Sequence, residues 1–243
     1  PPACLLFCHC GLSLLGLPPA RPARIVRRFA PLAQLIHSLI SHSLMITLDH
    51  PFTETAVRVL RAGEAVRVSG RVCTGRDRLH KHLAEGGACP ADLRDGALFH
   101  CGPVVVPLSP DPAQPSDGRG GWRVVAAGPT TSIREEPYMA RVIERFGVRV
   151  VIGKGGMGEA TRAACARFGC VYLQAVGGAA ALIAQRIKRV AQVHFLEEFG
   201  ATEALWELDV EGLEAVVGID ASGRSLYDEV RDASAVRLRR LLG

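Results

Sequence analysis

Lysine is almost missing from this sequence. Lys81, Lys154 and Lys188 are the only three, so arginine carries nearly all the positive charge. Acidic residues are missing from residues 1–48, which hold Arg21, Arg24, Arg27 and Arg28 but neither Asp nor Glu. Most of the formal +5 charge therefore sits in that opening segment, and the rest of the 243-residue chain is close to neutral. A near-neutral body argues against nucleic acid as the main partner, because such proteins neutralise phosphates with clustered bases. No apolar run is long enough to cross a bilayer as a helix. Cysteine pairs of the CxxC type are absent: Cys4, Cys8, Cys10, Cys73, Cys89, Cys101, Cys165 and Cys170 are scattered. That spacing argues against zinc fingers and suits reduced thiols in a cytosol-like compartment. The tightest group, Cys8-His9-Cys10, cannot fill a tetrahedral metal site without further ligands. Aromatics are scarce at 5%, but a 48% hydrophobic fraction with 22% charged residues is that of a folded globular chain.

Residues 1–44 do not read like the remainder. Short apolar runs are broken by Pro-Pro and Pro-Ala, and the composition is basic and Ser-containing. The segment is mildly like an organellar transit peptide, and equally like translated sequence upstream of a start at Met45. It is set apart as a tail, and residues 45–243 are taken as the folded domain.

From Met45 a regular pattern begins. Ala65 to Val72 alternates as a strand, Asp77 to Ala84 reads as a short helix closed by Gly86-Gly87, and Ala97 to Cys101 as a short strand. Pro107 to Gly121 is rich in Pro, Gly, Asp and Ser and reads as a long loop before a strand at Trp122–Ala127. Helix is expected at Tyr138–Phe146 and Glu159–Phe168, with apolar strands at Val148–Ile152 and Val171–Val176. A helix from Ala179 to about Val190 and two strands, Glu203–Val210 and Ala215–Ile219, complete the pattern. The alternation predicts an α/β domain.

Three turns follow strands, where open α/β sheets place ligand sites. Thr74-Gly75-Arg76-Asp77-Arg78-Leu79-His80-Lys81 opens a helix, and an arginine at a helix N-terminus suits an anion. The plainer reading is a helix start with solvated bases. Gly128-Pro129-Thr130-Thr131-Ser132-Ile133-Arg134-Glu135-Glu136 offers three hydroxyls and a cation. The plainer reading there is a Thr/Ser N-cap with two glutamates favouring the helix start. Gly153-Lys154-Gly155-Gly156-Met157-Gly158 satisfies GxGxxG, the dinucleotide pattern. The next strand, however, ends Gln174-Ala175-Val176-Gly177, without the acidic residue that would take a ribose hydroxyl. Together the three turns suggest a site for a small polyanion, with Arg76, Arg134 and Lys154 as its charges.

Taken in order, TGRDxxHK, FHCGP, GPTTSIR, IGKGGMG, YLQAVGGAAAL and ATEALWELDVEGLEAVVGIDASG resemble the β subunit, or C-terminal domain, of class I fumarases and L-tartrate dehydratases, from about Leu48 to about Tyr227. The resemblance implies a swivelling β/β/α domain and a hydro-lyase acting on a C4 dicarboxylate. It implies Thr130 as the proton-abstracting residue, with Arg76, Thr131, Arg134 and Lys154 binding substrate. Asp77 and His80 would support them without touching substrate. The family's [4Fe–4S] cluster would be bound by a partner α subunit, since this chain offers no cluster-cysteine motif, and an α2β2 assembly is expected. Fumarate hydratase leads, and tartrate dehydratase stays open as the alternative. So does a non-catalytic dicarboxylate-binding module. Three features depart from the family: Arg134-Glu135-Glu136 where fumarases more often read Arg-Met-Asp, an enlarged Pro107–Gly121 loop, and an opening tail without a counterpart.

Overall fold

A computed structural model describes residues 45–108 and 121–242. The tail of residues 1–44, with its Cys-His-Cys triplet, and nearly all of the Pro107–Gly121 loop lie outside the described residues. The elements run β1 (Ile46–Asp49), α1 (Glu54–Arg58), β2 (Ala65–Gly75), α2 (Asp77–Ala84), β3 (Ala97–His100), β4 (Val104–Pro107), β5 (Trp122–Ala126), a 3-10 turn (Ser132–Glu135), α3 (Glu136–Phe146), β6 (Val150–Gly153), α4 (Glu159–Phe168), β7 (Val171–Gln174), α5 (Ala180–Arg186), β8 (Ile187–His194), α6 (Leu196–Phe199), β9 (Leu205–Ile219) and α7 (Leu226–Leu242).

The fold is mixed α/β. Seven strands form one sheet in the order β1-β2-β3-β6-β7-β9-β8, and β9 also pairs with β2, so β2, β3, β6, β7 and β9 close into a barrel-like ring. Strands β1, β2, β3, β6 and β7 are parallel, whereas β9 runs antiparallel to β2, β7 and β8. The short strands β3, β6 and β7 are apolar on consecutive residues because both of their faces are buried. Ala97, Phe99, Val150, Ile152, Val171 and Leu173 point into one core with Trp206 and Leu208 of β9. The alternate residues Leu98, Val151 and Tyr172 point the other way, into a second core closed by Leu79 and Leu83 of α2, Met139 and Ile143 of α3, and Cys165 of α4. Phe99 is 1% exposed, and truncating such a side chain to alanine costs about 3–5 kcal/mol.

Most expected elements are found, α2 and α4 with the bounds read from sequence. Gly169 caps α4 at φ 67°, the left-handed conformation that its position just past the helix requires. Three expectations change. The helix foreseen to Val190 stops at Arg186, and Ile187–His194 is an edge strand, because pairing with β9 outweighs local helical preference. The two last strands are one, Leu205–Ile219. The apparent break at Gly212 is a bulge at φ 67°, its N–H donating to Ser69 Oγ at 3.1 Å. Strand β4 and helix α7 were not foreseen: β4 is a short edge strand, and α7 buries none of its residues in the core.

Candidate active site

The parallel strands end level with one another. Gly75 pairs with His100 and Gly153 with Gln174, while Phe99 opposite Ile152 brings the ends of β3 and β6 together. The first and third turns therefore leave the same rim of the sheet, the position a parallel α/β sheet offers to ligands. The second, which follows β5 of the separate two-stranded sheet, is joined to that rim at His100 and Lys154.

Arg76 follows β2 at the N-cap of α2. Gly102 forms its floor, since a Cβ there would stand 2.9 Å from Arg76 Cδ and 2.6 Å from the Thr202 carbonyl oxygen. Arg76 Nε lies 3.5 Å from Glu203 Oε1, and the other oxygen of Glu203 accepts from the Arg78 N–H at 3.0 Å. Asp77 accepts two hydrogen bonds from Arg134, the Nε–Oδ1 contact measuring 3.1 Å. This bidentate pair joins the first turn to the second.

The second and third turns are stitched by backbone. Thr130 N–H donates to the His100 carbonyl (2.7 Å), Lys154 N–H to the Thr130 carbonyl (3.3 Å) and Ser132 N–H to the Lys154 carbonyl (2.9 Å). Thr131 pairs with Lys154 as a parallel bridge and is exposed, while Thr130 is half-buried. The Ser132 hydroxyl lies beneath them. It accepts from Lys154 N–H at 3.2 Å and from the Tyr172 hydroxyl at 3.0 Å, so its own proton goes to His100 Nδ1 at 2.9 Å. That assigns the His100 tautomer from the network: Nε2 carries its proton. His80 Nδ1–H donates to the Arg76 carbonyl at 2.8 Å, and the two imidazoles meet edge to face at 4.8 Å. Burial holds both neutral. It lowers His80 to about 4, and it takes His100 well below its ordinary value, helped by the neighbouring His80.

The structure thus brings Arg76, Asp77, Thr130, Thr131, Arg134 and Lys154 to one rim, with His80 fully buried behind it. Sequence reading missed several residues behind it. Ser132, His100 and Tyr172 form the buried node just described. Gln174 Oε1 accepts from Gly155 N–H at 3.0 Å and from the Tyr227 hydroxyl, holding the glycine turn that carries Lys154. Gly155 and Gly156 have φ of 81° and 82°, which side chains seldom adopt. Only the position of Gln174 at a strand end hinted at its role.

Glu135 and Glu136 lie in the first turns of the 3-10 turn and of α3, as expected, but the Thr/Ser group provides no side-chain cap there. Glu136 reaches across to α4, accepting from Gly158 N–H (2.8 Å), Thr161 N–H (3.2 Å) and the Thr161 hydroxyl (2.6 Å). The N-terminus of α4 is thereby occupied by a carboxylate, and the dinucleotide reading of GxGxxG loses its phosphate anchor. Glu135 is fully buried beneath the rim. Burial, reinforced by Asp77, pushes its carboxyl up to about 8.

Among the described residues no three cysteine, histidine or acidic side chains gather as a metal site. Cys73, Cys101, Cys165 and Cys170 are buried and Cys89 partly so. Burial pushes the Cys101 thiol up to about 12. These thiols do not form the set of thiolates that an iron–sulfur cluster needs.

Fold and rim define a class: a mixed α/β protein with cations and hydroxyls gathered at the carboxyl ends of parallel strands. Residues 28–230 match the family described as Fumarase C-terminus. The match reaches back into the tail, so a missing counterpart concerns residues 1–27 only. The chain is 45% identical over 198 residues to a Geobacillus stearothermophilus protein provisionally named fumarate hydratase class I, covering 82% of this chain but 36% of that protein. It therefore spans about a third of that relative's length. It is 34% identical over 196 residues to a Methanocaldococcus jannaschii protein provisionally named L(+)-tartrate dehydratase subunit beta, covering 79% of this chain and 95% of the other. Against the L(+)-tartrate dehydratase subunit beta of Escherichia coli K12 it is 33% identical over 192 residues, covering 78% and 90%. The chain belongs to the fumarase C-terminal family. Among the described residues no helix is long and apolar enough to cross a membrane.

Proposed function

We propose that this chain is the β component of an iron–sulfur hydro-lyase that reversibly hydrates fumarate to malate. In this reading it shares its active site with a cluster-bearing α subunit in an α2β2 assembly, within a cytosol-like compartment. Residues 45–243 act as a swivelling β/β/α domain that closes over the partner. The observation that carries the reading is the hydrogen-bonded rim on which the Asp77–Arg134 pair and the Thr130–Lys154 backbone bond bring three cations to one hydroxyl-bearing turn.

The roles follow from charge. A C4 diacid carries two carboxylates, which Arg76, Arg134 and Lys154 neutralise, with the Thr131 hydroxyl as a further donor. Asp77 orients Arg134, and His80 fixes the turn that presents Arg76 by bonding its carbonyl. Dehydration removes a proton from the carbon next to a carboxylate, and negative charge grows on that carboxylate as the proton leaves. Fixed cations stabilise that growth without having to reorganise. Thr130 is assigned the proton transfer; its hydroxyl is a weak base in water, and neighbouring cations favour its alkoxide. The leaving hydroxyl needs an electrophile, which this reading assigns to the [4Fe–4S] cluster of the α subunit.

A second reading, the β subunit of an L-tartrate dehydratase, is favoured by coverage: the two relatives matched over nearly their whole length carry that name. Assay of the reconstituted complex on fumarate, malate and both tartrates separates the two. Turnover of tartrate alone overturns the fumarase assignment, and turnover of none overturns the hydro-lyase reading.

A further inference from the structure

In the described part of the protein, the buried side-chain nitrogens and oxygens without a hydrogen-bond partner are Arg76 Nε, His80 Nε2, His100 Nε2 and both oxygens of Glu135. Such atoms are rare in folded proteins, and here they all lie behind one rim. Glu135 is the extreme case, because neither oxygen has a donor and the side chain is fully buried.

The surroundings explain what state that carboxyl must take. His80 Nδ1–H on α2 is 3.6 Å from Glu135 Oε2 and points at the Arg76 carbonyl, which it reaches at 2.8 Å. His100 of β3 stands behind His80 and is neutral by burial. Of the cations, Arg134 on the same turn is taken by Asp77 of α2, and Arg76 at the N-cap of α2 is drawn to Glu203 in the loop before β9. An ionised carboxylate left without donors, and near two other acids, is strongly disfavoured. Burial and Asp77 together raise the Glu135 pKa, outweighing the opposing pull of Arg134 and Arg76.

We propose that Glu135 is a specificity-determining residue that works as an uncharged acid, its proton being what leaves the rim able to hold a doubly charged ligand. The three cations Arg76, Arg134 and Lys154 are set against two carboxylates, Asp77 paired with Arg134 and Glu203 beside Arg76, so the rim keeps one net positive charge while Glu135 is protonated. Ionising Glu135 cancels that charge and sets a third carboxylate beside both arginines, in competition with the ligand. Glu135 does not touch the ligand in this arrangement; it acts through the two arginines.

The inference rests on the diacid reading above, so the test has one arm that does not. Infrared spectroscopy of the isolated chain at about pH 7 detects a protonated carboxyl directly. The expected result is a buried carboxylic-acid band that disappears near pH 8 and is missing in Glu135→Gln. Absence of the band in the unsubstituted chain overturns the proposal whatever the enzyme does. The second arm measures KM for malate in the complex with the α subunit. Between about pH 7 and about pH 9 it is expected to rise on the order of tenfold with kcat much less affected, and Glu135→Gln is expected to flatten that rise. Parallel KM–pH curves for the two proteins overturn the role assigned to the proton. If the band is present but the complex neither binds nor turns over any C4 diacid, the diacid reading is what fails, and the role of the proton in ligand binding falls with it.

Discussion

The hydroxyl of Ser132 donates to Nδ1 of His100 across 2.9 Å, joining the threonine turn to the end of β3. The same oxygen accepts from Lys154 N–H and the Tyr172 hydroxyl, so one buried atom sets the spacing between the turns that carry Thr130 and Lys154. Gly153 is a glycine for this reason, since a Cβ there would lie 1.9 Å from Ser132 Oγ. Gly153→Ala is expected to destabilise the fold by about 1–3 kcal/mol and to weaken ligand binding at the rim. Thermal unfolding with and without malate checks both effects, and an unchanged melting temperature would mean that Ser132 has room to move.

Thr130→Ala separates binding from chemistry. A residue that acts on a proton in the transition state lowers kcat much more than it changes KM, and general-base contributions amount to about 10²–10⁴-fold. Steady-state kinetics of the complex should show a fall in kcat within that range. A silent substitution removes Thr130 from the mechanism.

Glu135 makes stability depend on pH in a direction opposite to most carboxylates. Its folded pKa, about 8, is above the ordinary 4.5. Below 4.5 both folded and unfolded chains are protonated and the group carries no ionisation cost. Between 4.5 and 8 only the unfolded chain ionises, so stability is lost as pH rises, and the loss levels off above 8. Glu135→Met is therefore expected to stabilise the chain by roughly 3 kcal/mol more at neutral pH than near pH 4. Urea unfolding at both values measures the difference, and an equal effect at both would show that the carboxyl is not protonated when folded.

The imidazoles act in the other sense. His80 is lowered from 6.5 to about 4, and His100 is lowered as well. Their contribution is complete above 6.5 and is lost as pH falls through the folded values. Between 6.5 and 4.5 His80 alone loses about 1.4 kcal/mol per pH unit, roughly what the Glu135 carboxyl regains, so the lowered His100 leaves a net loss as pH falls. In Glu135→Met the loss should be steeper over that range, because the opposing gain from the carboxyl is gone. Denaturation midpoints across it check the slope, and flat midpoints would mean that one ring reaches solvent.

The rim was legible in the sequence because its chemistry is local. Each turn follows a strand, and Arg76, Thr130 and Lys154 stand at fixed short distances from those strand ends. The support behind the rim was not legible, because its partners are far apart in the chain. Ser132 meets Tyr172 forty residues on, and Gln174 meets Tyr227 fifty-three residues on. Glu135 and Glu136 are neighbours with opposite fates, one buried without partners and one capping a distant helix, which no local pattern separates. In the fold, the continuous β9 was hidden by Gly212, whose bulge looks like a turn when pairing is not known. The helix extended to Val190 failed because an edge strand gets its identity from the strand beside it.

The central claim is that half of a reaction centre lies on this rim and the other half on a partner. Anaerobic reconstitution with a cluster-bearing α subunit, followed by fumarate hydration assays of the complex and of each component alone, tests it most directly. The account predicts turnover by the complex, none by the isolated β chain, and near-complete loss when the complex carries Thr130→Ala. Full turnover by the isolated chain, or a complex indifferent to Thr130→Ala, would contradict it.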